Sequence, residues 1–247
     1  MSELEKTRLW QEIRDMLCLT AAHYGLWFSE TERLLGLNAA IACEEQAGSR
    51  LMDIAANRLG KTLCSAAEPL TAQNVPEIAM DHLEQLADTL AVNWLAADGV
   101  WFQSVENYAD MADAKRVNDS CWSKFAPLEA GRAASRLGLP ENGGLDALEA
   151  ALGARMYARI NEWKLVRESE HALVFTMLRC RVQDARTRKG LPEYPCKSGG
   201  MTEYTSFAKA VDPRIKTDCI GCPPDERDEG YACSWRFTLE SSYGPGR

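Results

Sequence analysis

Apolar positions recur at three- to four-residue spacing in the first part of the chain. Leu4, Leu9, Ile13, Met16 and Leu17 form one such stripe, the pattern of a helix with one buried face. A second stripe runs through Ile78, Leu83, Leu86, Leu90 and Trp94. It is preceded by Asn74-Val75-Pro76-Glu77: Asn caps, Pro suits the first turn, and Glu three positions on closes a capping box. Gly143-Gly144 breaks the chain before a further helical stretch, Leu145 to Ile160.

The period changes after residue 160. Trp163 to Arg167 and Leu173 to Cys180 are rich in apolar and β-branched residues, with polar Glu168-Ser169-Glu170-His171 between them. That pattern predicts a β-hairpin. Arg181 to Lys189 is short, basic and helical in character. Leu191 to Gly200 holds two prolines and further breakers and is expected to be a loop. Thr202 to Val211 predicts a helix stopped by Asp212-Pro213. Tyr231 to Glu240 alternates, with Cys233, Trp235, Phe237 and Leu239 on one side and Ala232, Ser234, Arg236 and Thr238 on the other. Alternation of this kind makes a half-buried strand and turns Cys233 inward. The expectation is an α+β protein: a mainly helical region over residues 1–160 and a cysteine-rich α+β region with antiparallel hairpins over residues 161–247.

The helical region shows an internal repeat. Gly25-Leu26-Trp27-Phe28 parallels Gly99-Val100-Trp101-Phe102, each block set between amphipathic helices. A duplicated helical unit buries one shared face. Trp27 and Trp101 then read either as core residues or as paired aromatic walls of a cleft, with His23 just ahead of the first block.

Charge separates the same two regions. Residues 1–160 carry 14 basic and 23 acidic side chains, net −9, and residues 161–247 carry 14 and 13, net +1. The whole chain of 247 residues has a net charge of −8. With no global positive field, nucleic acid is not expected as a partner. No apolar run approaches the roughly 18 residues that span a bilayer, so no membrane partner is expected. The first residues, Met1-Ser2-Glu3-Leu4-Glu5-Lys6, lack the basic and apolar regions of a secretory signal. The sequence alone thus suggests a cytoplasmic protein, and its helices offer a surface for a homodimer. Apolar residues at 46% and charged residues at 26% are those of a folded domain, which excludes disorder throughout.

Nine cysteines without an export signal suit thiol or metal chemistry better than disulfides. Five crowd into the last third: Cys180, Cys196, Cys219, Cys222 and Cys233. Cys219-Ile-Gly-Cys222 has the spacing of a metal-gripping turn, and Cys222-Pro223 stiffens it. A zinc site of four thiolates, an iron–sulfur cluster and free thiols, one of them a nucleophile, all fit this pattern. Arg179, Arg181, Lys197, Arg214 and Lys216 stand close to these cysteines in sequence, and positive charge favours thiolate. In Asp212-Pro213-Arg214 the guanidinium is a candidate anchor for a substrate carboxylate. No glycine-rich phosphate loop is present, so ATP or NAD chemistry is not indicated. The three histidines, His23, His82 and His171, form no metal-type pair.

Several stretches carry a resemblance: Arg181-x-x-x-Ala185-Arg186, Pro195-Cys196-Lys197, Asp212-Pro213-Arg214-Ile215-Lys216-Thr217, Cys219-Ile220-Gly221-Cys222-Pro223-Pro224-Asp225 and Cys233-Ser234-Trp235-Arg236-Phe237. They look like a family of cytosolic proteins without assigned activity, found largely in anaerobic bacteria and archaea. The ending is also similar to that of the L-2-amino-thiazoline-4-carboxylate hydrolases and of the 4-vinyl reductase (hydrocarbon-binding) domain. The latter likeness implies a small α/β ligand-binding module with cysteines beside the ligand. Two functions are expected from residues and resemblance together. One is a cysteine-ligated metalloenzyme, a hydrolase or lyase of a small heterocyclic or sulfur-containing acid. The other is a non-enzymatic sensor or carrier of a small molecule with a structural metal.

Overall fold

A computed structural model describes residues 110–240 throughout, and ahead of them isolated helical positions within 21–45 and 91–106. The chain divides into two compact units, Met1–Ile78 and Ala79–Arg247. In the first unit the Tyr24 hydroxyl donates to Glu44. His23, Trp27 and Trp101, and with them most of the expected repeat, lie outside the described residues.

The second unit contains α1 (Met111–Leu137), α2 (Gly144–Gly153), α3 (Met156–Ile160), β1 (Glu162–Ser169), β2 (Ala172–Arg179), α4 (Arg181–Arg188), α5 (Lys197–Val211), β3 (Ile215–Gly221) and β4 (Cys233–Leu239). The described part is therefore α+β, with its sheet C-terminal to most of its helices. The composition changes at residue 160 but the packing does not: α1, from before it, lies along α5, from after it, and both share one core. The compact unit that holds both begins at Ala79.

Helix α1 starts where the Asp110 carboxylate accepts the Asp113 N–H at 2.8 Å and ends at Gly138, whose φ of 64° is left-handed. Such a cap frees the chain to turn without a Cβ clash. Its inward stripe is Trp122, Ala126, Glu129, Ala130 and Ala133. The alanines let α5 approach closely. The stretch expected as one helix, Leu145 to Ile160, is two: α2 ends at Gly153 and α3 begins at Met156, with Arg155 buried at the break.

The strands form an antiparallel sheet in the order β1-β2-β4-β3. β1 and β2 are the predicted hairpin, turning at Glu170-His171. β2 and β3 run parallel to each other because both are antiparallel to β4. Connecting them takes the crossover α4–α5, and α5, together with α2, covers one face of the sheet. Leu173, Phe175, Met177, Trp235 and Phe237 point into that covered face and meet Leu148, Leu152 and Phe207 from the helices.

Helix α5 begins five residues earlier than the sequence suggests, at Lys197 and not Thr202. Gly199 and Gly200 read as breakers, yet both are buried within its first turn. Gly199 packs on Asp119 and Asn118, and Gly200 on the ring of Trp235. Tertiary contact with bulky neighbours outweighs the roughly 1 kcal/mol that each glycine costs a helix.

Candidate ligand cavity and its thiols

Sheet register brings cysteines of different loops to one end of the fold. Met177, near the end of β2, pairs with Cys233, the first residue of β4. Gly221, the last residue of β3, pairs with Ser234. Cys180 follows β2 and Cys222 follows β3, so Cys180, Cys222 and Cys233 leave the sheet at the same edge. Cys196 joins them as the N-cap of α5, because the Lys197 N–H donates to the Pro223 carbonyl at 2.8 Å.

These four cysteines line a cavity of about 470 Å³. Its walls are mainly aromatic, with Phe102, Trp122, Tyr157, Tyr194, Tyr204 and Trp235. Arg181, Arg186, Arg188 and Lys189 stand on α4 and just beyond it, exposed or half-buried, and form a basic rim. Volume and lining are those of a small-molecule site.

The thiols are not equivalent. Cys222 is 1% exposed, and its thiol is hydrogen-bonded to Cys196 and Cys233; those bonds, with burial, push it far above the ordinary thiol range. The same Cys196–Cys222 bond acts in the opposite sense on Cys196, which is held below the usual range by Cys222, with the Gln183 amide and Lys115 helping against burial. Gln183 Nε2 lies 3.2 Å from Cys196 Sγ. Gln183 is itself fixed by two bonds of 2.9 Å with the Tyr194 backbone. In its thiol form Cys196 can donate to the Tyr194 carbonyl at 3.3 Å. Burial pushes Cys180 up to about 12. The Trp235 indole N–H points at Cys233 Sγ, 3.3 Å away.

Cys219 does not line the cavity. It lies within β3, opposite Trp235, with a register shift between it and Gly221, and burial raises its thiol. Among the described residues, no group of three or more His, Cys, Asp or Glu side chains is arranged to hold a metal ion. The sulfurs meet through hydrogen bonds between thiols, with Cys222 at the centre. As placed, these thiols bond one another and do not share a common centre.

Arg214 is also outside the cavity lining. Its guanidinium donates to Asp212 at 3.0 and 2.6 Å and to the Asn142 carbonyl at 2.9 Å. Asp212 in turn accepts the Gly144 N–H at 3.0 Å. Through these contacts Arg214 and Asp212 clasp the end of α5 to the start of α2.

The residue that sequence reading passed over is Glu203. It looks like an ordinary polar position on α5, yet it is 8% exposed and faces the cavity. Arg155 reaches its Oε1 at 2.6 Å and Glu129 Oε2 at 2.8 Å. The Arg155 guanidinium is packed over Phe207, 4.7 Å from the ring centroid. Burial, resisted by Arg155, pushes the Glu203 carboxyl up to about 7. No periodicity signals this triad, because its members come from α1, the α2–α3 break and α5.

The fold and the site together define an α+β protein with a thiol-walled, aromatic-lined cavity. The chain belongs to the family described as "Family of unknown function (DUF6125)", whose profile matches residues 76–239. That match spans the whole sheet and all four cavity cysteines. No curated protein and no solved structure matches the chain. Among the described residues no helix is long and apolar enough to cross a membrane.

Proposed function

We propose that this protein binds a small molecule with an apolar, aromatic body in the cavity, and that its thiols face that molecule. The observation that carries this reading is the meeting of Cys180, Cys196, Cys222 and Cys233 on the wall of one aromatic-lined space. Thiols held only for packing would not need a cavity beside them. The basic rim favours a ligand with an acidic end outward, through charge-assisted contact with Arg181 and Arg186. The test is calorimetric titration of the reduced full chain with 3-methylindole and indole-3-propionate. Both are expected to bind, the acid more tightly and with a salt-dependent advantage. An Ala185→Trp variant, which fills the mouth, should lose both while its circular dichroism stays native. Absence of binding by either probe overturns the reading.

A second reading keeps the cavity and adds a thiophilic metal, making the protein a hydrolase or lyase of a heterocyclic or sulfur-containing acid. It is favoured by one observation, the contact of Cys222 with both Cys196 and Cys233. Zinc and iron–sulfur clusters both take thiolate ligands. Side chains would have to turn from bonding one another to share a centre. Elemental analysis and a visible spectrum of anaerobically purified protein decide it. Less than one equivalent of zinc or iron that survives dialysis removes this reading and leaves the first intact.

A further inference from the structure

The charges around the cavity are segregated. Arg181, Arg186, Arg188 and Lys189 line it from α4 and the turn after it, whereas the carboxylates Glu203, Asp98 and Glu106 line it from other elements, Glu203 buried and the other two half-buried. The buried Arg155 does not cancel this negative excess, because it is shared between Glu129 and Glu203. One guanidinium against two carboxylates leaves one negative charge, and Asp98 adds a second.

We propose that the inner end of the cavity is a receptor for an organic cation, with the Glu203 carboxylate as its counter-ion: the ligand carries a protonated amine or amidine on its apolar body. This deepens the reading given under Proposed function and rests on it. A buried carboxylate without a matching charge is costly. Without such a charge, burial favours the protonated carboxyl of Glu203 up to about 7. Asp98 is raised by burial in the same way. The other groups facing Glu203 are Glu129, Tyr157, Tyr204 and Arg155; both phenols are pushed well above their ordinary range by burial and stay neutral. Arriving as a cation, the ligand supplies the missing positive charge. Glu203 then ionises and its proton passes to solvent, so that carboxylic acid and ammonium become a carboxylate–ammonium pair plus one released proton. The rings of Trp122, Tyr157 and Tyr204 beside Glu203 already carry the Arg155 guanidinium, 5.9, 5.6 and 5.6 Å from their centroids.

The experiment compares tryptamine with 3-methylindole, which has the same ring and no charge, by titration calorimetry near pH 6 in two buffers of different ionisation enthalpy. The wild-type chain should bind tryptamine about tenfold more tightly and release up to one proton per molecule bound. Glu203→Gln should lose the preference for tryptamine over 3-methylindole and release no proton. Glu203→Asp, which keeps the charge but shortens the reach, guards against a folding defect in the first variant and should retain part of the preference. Equal affinity for the two probes in the wild type, or an equal loss of both in Glu203→Gln, overturns the cation site while leaving the cavity reading standing. Failure of 3-methylindole, indole-3-propionate and tryptamine alike overturns both.

Discussion

The indole of Trp235 lies directly on the backbone of Gly200: a Cβ built there would stand 2.5 Å from Cζ2 and 2.8 Å from Cη2 of the ring. This contact joins the central strand β4 to the first turn of α5 and forms part of the cavity wall. Trp235 is fully buried and is pinned by Tyr204, 5.0 Å between centroids, and by its N–H contact with Cys233. Both contacts resist its displacement. Gly200→Ala is therefore expected to destabilise the protein by about 1–3 kcal/mol through overpacking, even though Ala is the better helix former. Urea unfolding checks this. A gain in stability would mean that the close approach is relaxed in solution.

Arg155 holds Glu129 and Glu203 at 2.8 and 2.6 Å while 3% exposed. Removing it leaves two buried carboxylates without their cation, which costs about 3–5 kcal/mol. Arg155→Met is expected to cause that loss near neutral pH. Replacing all three together, Arg155→Met with Glu129→Gln and Glu203→Gln, should recover most of it. Denaturation of the single and triple variants measures the difference. Equal losses in both would show that the ring contacts of Arg155, and not its ion pairs, carry the stability.

The period-2 stretches were legible in the sequence because each strand has one face covered. Trp163, Leu165 and Arg167 are more buried than Lys164, Val166 and Glu168, and the hairpin turn fell where polar residues interrupted the pattern. The start of α5 was not legible. Gly199-Gly200 has no local reason to be helical, and only the ring of Trp235, 35 residues on, supplies one. The cysteine reading divides in the same way. Clustering in sequence anticipated the gathering of Cys180, Cys196, Cys222 and Cys233. The close spacing of Cys219 and Cys222 did not reveal their different surroundings: the register shift before Gly221 and the exit of the chain from β3 take Cys222 to the cavity and leave Cys219 on the strand. Glu203 was invisible, since its meaning depends on an arginine 48 positions earlier.

Cys196 receives hydrogen bonds from Cys222 and Gln183 and sits at the N-terminus of a 15-residue helix, where the backbone dipole also favours an anion. Its thiolate fraction should exceed that of Cys180 and Cys222, both of which are raised. Limited alkylation with iodoacetamide near neutral pH, mapped by mass spectrometry, is expected to mark Cys196 ahead of those two despite its partial burial. Cys222→Ala should slow alkylation of Cys196 by removing a donor. Faster labelling of Cys180 than of Cys196 would sink this ordering. Cys121 is exposed and provides the internal rate standard.

Glu203 gives the fold a pH dependence of definite sign. Its folded carboxyl titrates at about 7, against about 4.3 in an unfolded chain. Between those values the native state holds the extra proton, so stability is highest on the acidic side and falls as pH rises through the folded value. The loss is on the order of 3 kcal/mol. Asp98, also raised by burial, contributes with the same sign. Asp212 opposes it: the Arg214 guanidinium holds its carboxyl below the ordinary range, so its contribution is lost only as pH falls below about 4. Urea midpoints of the wild type are therefore expected to drop from pH 5 to pH 8, and those of Glu203→Gln to drop less. The neutral amide can still accept from Arg155, which keeps the comparison one of charge and not of shape. An equal drop in both proteins would mean that the cavity wall holds Glu203 in the ionised form throughout, and with it the charge segregation between rim and interior would cease to depend on any ligand.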